Sequence, residues 1–278
     1  MDIFLTGSTG FIGKNLKGAL ISRNFNVISI NRKIYSSRTN EDLENFLDSS
    51  KIKPNSLLIH AAAAGVKYQC SFEENILINV IYLRRIINSF FKRGVRKFII
   101  LGSCFEYGMT GNDELFLNTS SKLQPVGYHS ISKALSFLEC KNLSLTKNLN
   151  LTYARLFQVY GEGENHSRLY PSLLNAGLKG NNFNMSEGNQ VRDFTHVNDV
   201  VNSLINEIDL ISKFQIINVC SGVGTSIRDF ASYHWSKIDA EGSLLFGNIP
   251  SKNNDLKRVV GLPSLEGGRQ KIKPLNIN

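Results

Sequence analysis

Apolar residues along this chain come in two alternating patterns, short uninterrupted runs and longer stretches at helical spacing. Asp2-Ile3-Phe4-Leu5-Thr6 predicts a buried strand, and Lys14–Arg23 predicts the helix after it. Val27–Ile30 predicts the second strand. Asn40–Asp48 predicts a short helix, with Glu41, Asp42 and Glu44 in the first turn, where the helix dipole favours anions. Ser56–His60 predicts another strand. Phe72–Arg93 predicts a long helix that Gly94 stops. A strand at Lys97–Leu101, a helix at Ile131–Leu145 and a strand at Leu151–Phe157 continue the alternation. Strands that are apolar throughout, separated by helices, predict an α/β fold with a doubly wound parallel sheet covered on both faces. Residues 161–189 are rich in Gly and Asn and less regular. Val191–Thr195 and Phe214–Val219 each predict one more strand, and periodicity is weak beyond Gly247. No internal repeat, low-complexity linker or separate second core is legible.

Composition narrows the class. With 278 residues, 42% hydrophobic and 20% charged, the chain is globular rather than disordered. A chain of this length buries roughly three quarters of its unfolded surface. The apolar runs near Leu57–Val66 and Phe98–Leu101 fall far short of the about 20 residues a membrane span needs, so no membrane partner is expected. No basic segment followed by an apolar one opens the chain, which predicts a cytoplasmic protein. Lys and Arg number 32 against 23 Asp and Glu, a net charge of +9. That excess reads either as an anionic partner or as a solvated basic surface. No block of five or six cations occurs, which argues against nucleic acid. Cys70, Cys104, Cys140 and Cys220 are widely spaced and read as reduced thiols. His60, His166, His196 and His234 show no metal-ligand spacing, so no metal is expected. The N-x-S/T triplets starting at Asn118, Asn142, Asn150, Asn165 and Asn184 follow from an Asn-rich composition.

The first strand–helix junction carries Gly7-Ser8-Thr9-Gly10-Phe11-Ile12-Gly13. In a dinucleotide loop the first Gly permits a tight turn and the second admits a phosphate to the backbone. The third lets helix and strand pack closely. The helix N-terminus then offers unpaired N–H groups to a pyrophosphate. After the second strand stand Asn31, Arg32 and Lys33. A carboxylate there would accept from an adenosine ribose and favour NAD, whereas a guanidinium pairs with a 2′-phosphate. NADP(H) is therefore expected, with NAD(H) the alternative.

Seven segments in order then resemble the extended short-chain dehydrogenase/reductases, the NAD-dependent epimerase/dehydratase family that acts on nucleotide sugars. They are Thr6–Gly13, His60-Ala61-Ala62-Ala63, Asn79-Val80, Gly102-Ser103-Cys104-Phe105-Glu106-Tyr107-Gly108, Arg155–Gly161, Arg192–Val200, and Asn218–Gly222 with Thr225-Ser226-Ile227. The resemblance implies a Rossmann-type domain, residues 1–160 plus about 190–217, and a smaller substrate domain, residues 161–189 and 218–278. It places Gly7, Thr9, Gly10, Phe11, Ile12, Gly13, Asn31, Arg32, Ala61, Ala62, Ala63, Lys133 and Phe157 at the cofactor. It places Ser103, Phe105, Gln158 and Arg192 at a nucleotide-diphosphate sugar, with Arg192 reaching the diphosphate. Asp193 and Asp199 are read as structural, orienting the Arg192 loop. Pairing of Phe72–Arg93 and Ile131–Leu145 with a second copy implies a homodimer.

The family catalyses with Ser/Thr, Tyr and Lys, and its Tyr and Lys lie four residues apart on one helix face. Ser103 and Lys133 match. The residue four before Lys133 is His129, and Tyr128 is five before it. Five positions turn about 140° around a helix against about 40° for four, so a straight helix cannot present Tyr128 beside Lys133. Three readings stay open. The helix begins late and Tyr128 swings in from the preceding turn; His129 replaces the phenol, since imidazole both donates and accepts a proton; or the donor is lost and the chain binds NADP without turnover. Members that dehydrate carry Asp-Glu where Cys104 and Phe105 stand, so dehydration is not expected. Those that epimerise at C3 and C5 carry Cys at the place of Phe105. What remains is NADPH-dependent reduction of the 4-keto group of a nucleotide-linked 4-keto-6-deoxysugar, as in deoxysugar supply for surface polysaccharide such as lipopolysaccharide O-antigen. A 4-epimerase with retained NAD is the alternative.

Overall fold

The computed structural model describes residues 1–36, 39–64, 70–250, 255–265, 269 and 271–275. The first half runs β1 (Asp2–Thr6), α1 (Phe11–Ser22), β2 (Asn26–Ile30), the single turn α2 (Arg32–Tyr35), α3 (Glu41–Ser49) and β3 (Leu57–His60). Next come α4 (Phe72–Ile76), a π-helical turn (Leu77–Ile81), α5 (Tyr82–Lys92), β4 (Lys97–Ser103), α6 (Thr110–Asp113), α7 (Tyr128–Lys147) and β5 (Asn150–Leu156). The remainder holds β6 (Gln158–Tyr160), α8 (Leu169–Leu178), β7 (Phe183–Asn184), β8 (Val191–Arg192), β9 (Phe194–His196), α9 (Val197–Leu210) and β10 (Gln215–Val219). It closes with β11 (Thr225–Ser226), α10 (Ile227–Lys237), β12 (Leu244–Leu245) and β13 (Arg258–Val259).

Six strands form one sheet in the order β10-β5-β4-β3-β1-β2, every pair parallel. Alternation of side chains across each strand explains why the strands read as apolar throughout. Ile3, Leu5, Leu57, Ile59, Ile99 and Leu101 pack on one face with Leu16 and Leu20 of α1 and Val200 and Leu204 of α9. Phe4, Leu58, Phe98 and Ile100 pack on the other with Leu43 of α3, Ile86 and Phe90 of α5, and Phe137 of α7. The sheet is doubly wound, as expected. Strand order reverses between β1 and β3, so the crevice at their carboxyl ends is the topological switch point where such sheets bind ligands.

Several local expectations are corrected. The helix predicted at 72–93 is interrupted by the π-turn, where Ser136 of α7 donates to the Asn79 carbonyl and the Asn79 amide reaches Ser132. Helix α7 starts at Tyr128, not Ile131. Residues 161–189 contain α8, which Pro171 and Gly177 concealed. Pro171 sits in the first turn, where its missing N–H costs nothing, and a Cβ at Gly177 would lie 2.5 Å from Ile238. A second core does exist. Leu173, Met185, Ala231 and Trp235 form one cluster, and Phe194 stacks on Phe230 at 3.8 Å beside Tyr160 in another. Among the described residues, no helix is long and apolar enough to cross a membrane.

Burial leaves an acid-sensitive element at the heart of the sheet. The His60 ring is buried with Nδ1 2.9 Å from Thr6 Oγ1, and burial, then the Lys133 charge, pushes its pKa down to about 3. The unfolded chain binds this proton near pH 6.5 and the native one does not. Stability from the neutral ring is therefore complete above about 6.5 and lost as pH falls towards about 3, a change on the order of 4 kcal/mol. We expect the urea midpoint to fall between pH 7 and pH 4.5, and to fall less in His60→Gln. An equal fall in both proteins would contradict this assignment.

Candidate active site

The switch-point crevice is built from the glycine loop. Gly7 has φ +69°, and a Cβ there would stand 2.7 Å from the Ala61 carbonyl and the Ala62 nitrogen, which presses the loop against the chain leaving β3. Gly10 N–H donates to the Gly7 carbonyl at 2.9 Å, and Gly10 caps α1 without a side chain. No acidic residue occupies the first turn of α1. The N-terminal N–H groups of α1 and its positive dipole end thus face a cradle shaped by glycine, which suits a dinucleotide pyrophosphate. Thr9 and Ala63 are exposed, Phe11, Ile12 and Ala61 half-buried, and Ala62 buried around this cradle. Asn31 and Arg32 are exposed at the carboxyl end of β2, where a ribose edge would lie, and Arg32 opens α2.

Ser103 ends β4, half-buried, with Oγ accepting from the Phe105 N–H at 3.2 Å. Lys133 of α7 is buried, and its Nζ donates to the Leu101 carbonyl at 2.7 Å, two residues before Ser103 in the same strand. Burial draws the Lys133 pKa down, and the Glu106 carboxylate holds it up.

One turn before Lys133, His129 Nδ1 lies 2.8 Å from the Ala64 carbonyl. A carbonyl only accepts, so Nδ1 carries the proton and Nε2 keeps the lone pair. Ala64 N–H in turn donates to Asn79 Oδ1 at 2.9 Å, Asn79 Nδ2 donates to Ser132 Oγ at 2.8 Å, and Ser132 Oγ–H donates to the His129 carbonyl at 2.8 Å. The imidazole is thereby fixed to the carboxyl end of β3. Burial, then the Lys133 charge, pushes its pKa down to about 4, with Arg168 at the start of α8 a further cation acting on it.

Tyr128 is the first residue of α7 rather than part of a preceding turn, so the expectation of a late-starting helix is corrected. It is 57% exposed, with its ring edge-on to Phe72 at 5.7 Å. Phe105 and Gln158 are half-buried, and Phe157 is buried against Tyr107. Arg192 is buried, and its guanidinium pairs with Asp255 at 3.1 Å. Asp193 accepts from the Ser221 N–H and hydroxyl and from the Gly222 and Gly261 N–H groups, which fixes the turn beside Arg192. Asp199 lies in the first turn of α9.

Sequence reasoning gave no role to Glu106, Tyr153 or Arg155. The fully buried Glu106 pairs with Arg155 at 2.8 Å and accepts from Tyr153 and from the Ser103 N–H. The available signal was an arginine inside an otherwise apolar strand run, since a buried guanidinium requires a buried partner.

The profile of the NAD dependent epimerase/dehydratase family matches residues 3–220. A GDP-6-deoxy-D-talose 4-dehydrogenase from Aggregatibacter actinomycetemcomitans is 28% identical over 272 residues, covering 95% of this chain and 89% of the relative. A CDP-abequose synthase from Salmonella typhimurium is 23% identical over 281 residues, covering 91% and 87%. Among solved structures, a UDP-glucose 4-epimerase from Thermotoga maritima with UDP-glucose superposes at TM-score 0.85 and 19% identity, covering 99% of this chain and 94% of that one. The likeness to that structure is one of fold. The family profile spans most of the chain and the doubly wound fold agrees with it: this chain is an enzyme of the NAD-dependent epimerase/dehydratase family, whose members use NAD(P) to modify nucleotide sugars.

Proposed function

We propose that this enzyme reduces the 4-keto group of a nucleotide-linked 4-keto-6-deoxysugar with NADPH. The observation that supports the reading is that Lys133 and His129, one turn apart on α7, reach the Leu101 carbonyl of β4, two residues before Ser103, and the Ala64 carbonyl beyond the end of β3. NADPH supplies the hydride when bound. Ser103 Oγ–H would donate to the C4 oxygen. The Lys133 ammonium would hold the nicotinamide ribose and favour negative charge building on that oxygen. His129 would carry the proton through Nε2, with Nδ1 held by Ala64. Phe157 would flank the nicotinamide, and Phe105 and Gln158 the sugar. Arg192 would meet the diphosphate, which competes with Asp255 for the guanidinium. Residues 161–189 and 218–278 would form the nucleotide-sugar side of the cleft. Leu77 and Ile81, with Leu135 and Leu138 of α7, are exposed apolar residues that would pair with a second copy.

An NADPH-oxidation assay on a panel of nucleotide-4-ketosugars tests the reading. Consumption of NADPH with at least one of them is expected. Tightly retained NAD with no net NADPH consumption would establish a 4-epimerase instead. NADPH binding without turnover on any ketosugar would mark a cofactor-binding protein.

Cofactor choice rests on Arg32, which is exposed and has no acid next to it in the sequence at the end of β2. We expect Arg32→Asp to lower NADPH affinity about tenfold or more relative to NADH, the loss of one charge-assisted contact. Unchanged relative affinity would remove Arg32 from the 2′-phosphate site.

A further inference from the structure

We infer that Glu106 is a positioning residue: its buried carboxylate ties the Ser103 end of β4 to the Lys133 turn of α7 and supplies the anion that Lys133 faces. The inference rests on the functional reading given above, in which Ser103 and Lys133 act on one substrate oxygen.

The geometry is specific. Glu106 Oε1 accepts from the Ser103 N–H at 2.8 Å and from Tyr153 Oη–H at 2.9 Å. The same Tyr153 hydroxyl lies 3.0 Å from the Lys133 carbonyl, so one shared proton links the carboxylate to α7. Arg155 Nε donates to Oε2 at 2.8 Å, and Arg155 Nη1 donates to Tyr107 Oη at 3.0 Å. Every group around the two oxygens is a donor, which matches an ionised carboxylate. Burial raises the Glu106 pKa, and Arg155 is the largest opposing influence.

Backbone architecture is committed to this contact. A Cβ on Gly102 would stand 2.3 Å from the Tyr153 ring and 2.7 Å from Glu106 Oε1. Glycine at that position lets the carboxylate and the phenol reach β4, one residue before Ser103.

The groups facing Lys133 come from every neighbouring element. His60 at the end of β3 and His129 on α7 are held neutral by burial. Cys140 on α7 and Tyr153 on β5 are also held neutral, because burial raises both. Glu106 is the one anion facing Lys133 among the described residues. A lysine buried without a carboxylate loses its proton readily. Glu106 would therefore keep Lys133 protonated while fixing its spacing from Ser103.

Lysine-selective 15N NMR on the whole protein tests this without substrate or cofactor, using Lys133→Met to assign the Nζ signal. In Glu106→Gln the Lys133 titration midpoint is expected to fall by about one pH unit or more. Glu106→Gln leaves Arg155 buried and unpaired, so the double variant Glu106→Gln/Arg155→Met is measured alongside it. Removing both partners of a buried pair restores folding where removing one does not. Tyr153→Phe keeps the carboxylate, and its Lys133 midpoint is expected to stay near that of the unmodified enzyme. With an accepted ketosugar, Glu106→Gln is expected to lower kcat with little change in KM for the sugar nucleotide. A folded Glu106→Gln or double variant in which Lys133 titrates as in the unmodified enzyme would overturn the inference. Failure of the unmodified enzyme to reduce any ketosugar would overturn the functional reading while leaving the Lys133 shift to be judged on its own.

Discussion

Gly13→Ala is expected to abolish tight dinucleotide binding, whereas Gly18→Ala in the same helix leaves it intact. A Cβ at Gly13 would lie 2.1 Å from the Gly7 carbonyl oxygen and 2.7 Å from its carbon, both backbone atoms that cannot rotate aside. Relief requires α1 to move away from the loop, and that movement withdraws the helix N–H groups from the phosphate cradle. A clash of this kind costs about 3 kcal/mol or more, which is about two orders of magnitude in affinity if it falls on the bound state. At Gly18 nothing lies within 4 Å of the added carbon. There Ala adds helix propensity, worth about 0.8 kcal/mol of stability. Fluorescence titration with NADPH and thermal melts of both variants check the pair. Equal affinity in Gly13→Ala and the unmodified enzyme would remove the cradle from the account.

His129→Phe is expected to lower ketosugar reduction by about two to four orders of magnitude, the usual worth of a placed proton carrier. The pH dependence carries more information than the loss. The His129 pKa lies at about 4, so the ring is neutral at pH 7 with its lone pair on Nε2. Reduction needs the imidazolium to give a proton to the C4 oxygen. Its rate should therefore fall about tenfold for each pH unit above about 4. Oxidation of the corresponding alcohol needs the neutral ring to accept that proton, and its rate should be flat above about 4. The two profiles differ by one proton, as the balance of the overall reaction requires. Initial rates in both directions from pH 5 to 9 check this. A reduction rate independent of pH across that range would assign the proton to another group and return Tyr128 to consideration.

The sheet and its two covering layers were legible because strand runs such as Phe4-Leu5 and Leu57-Leu58-Ile59 feed both faces at once, and helical spacing then recurs between them. The glycine loop was legible for a related reason. Only glycine tolerates the contacts at positions 7 and 13, so the spacing is a direct record of the packing. Helix α8 was hidden because Pro171 and Gly177 carry breaker signals that only tertiary context cancels. The small C-terminal core escaped notice because Leu173, Met185, Ala231 and Trp235 come together from distant segments with no shared period. At the candidate site, motifs alone singled out Ser103 and Lys133. The different surroundings of Tyr128 and His129 follow from where α7 begins and from the Ala64 carbonyl, neither of which spacing alone records. Glu106 stayed without a role because its partners Tyr153 and Arg155 lie on β5, more than forty residues away in sequence.

Deuteride transfer tests the central claim most directly. NADPH carrying deuterium at nicotinamide C4 would be incubated with an accepted nucleotide-4-ketosugar, and the product sugar examined by mass spectrometry and NMR. The account predicts one deuterium, attached to sugar C4, with one NADPH consumed for each product. A product with deuterium at any other carbon, or formed with no deuterium and no NADPH consumed, would contradict it.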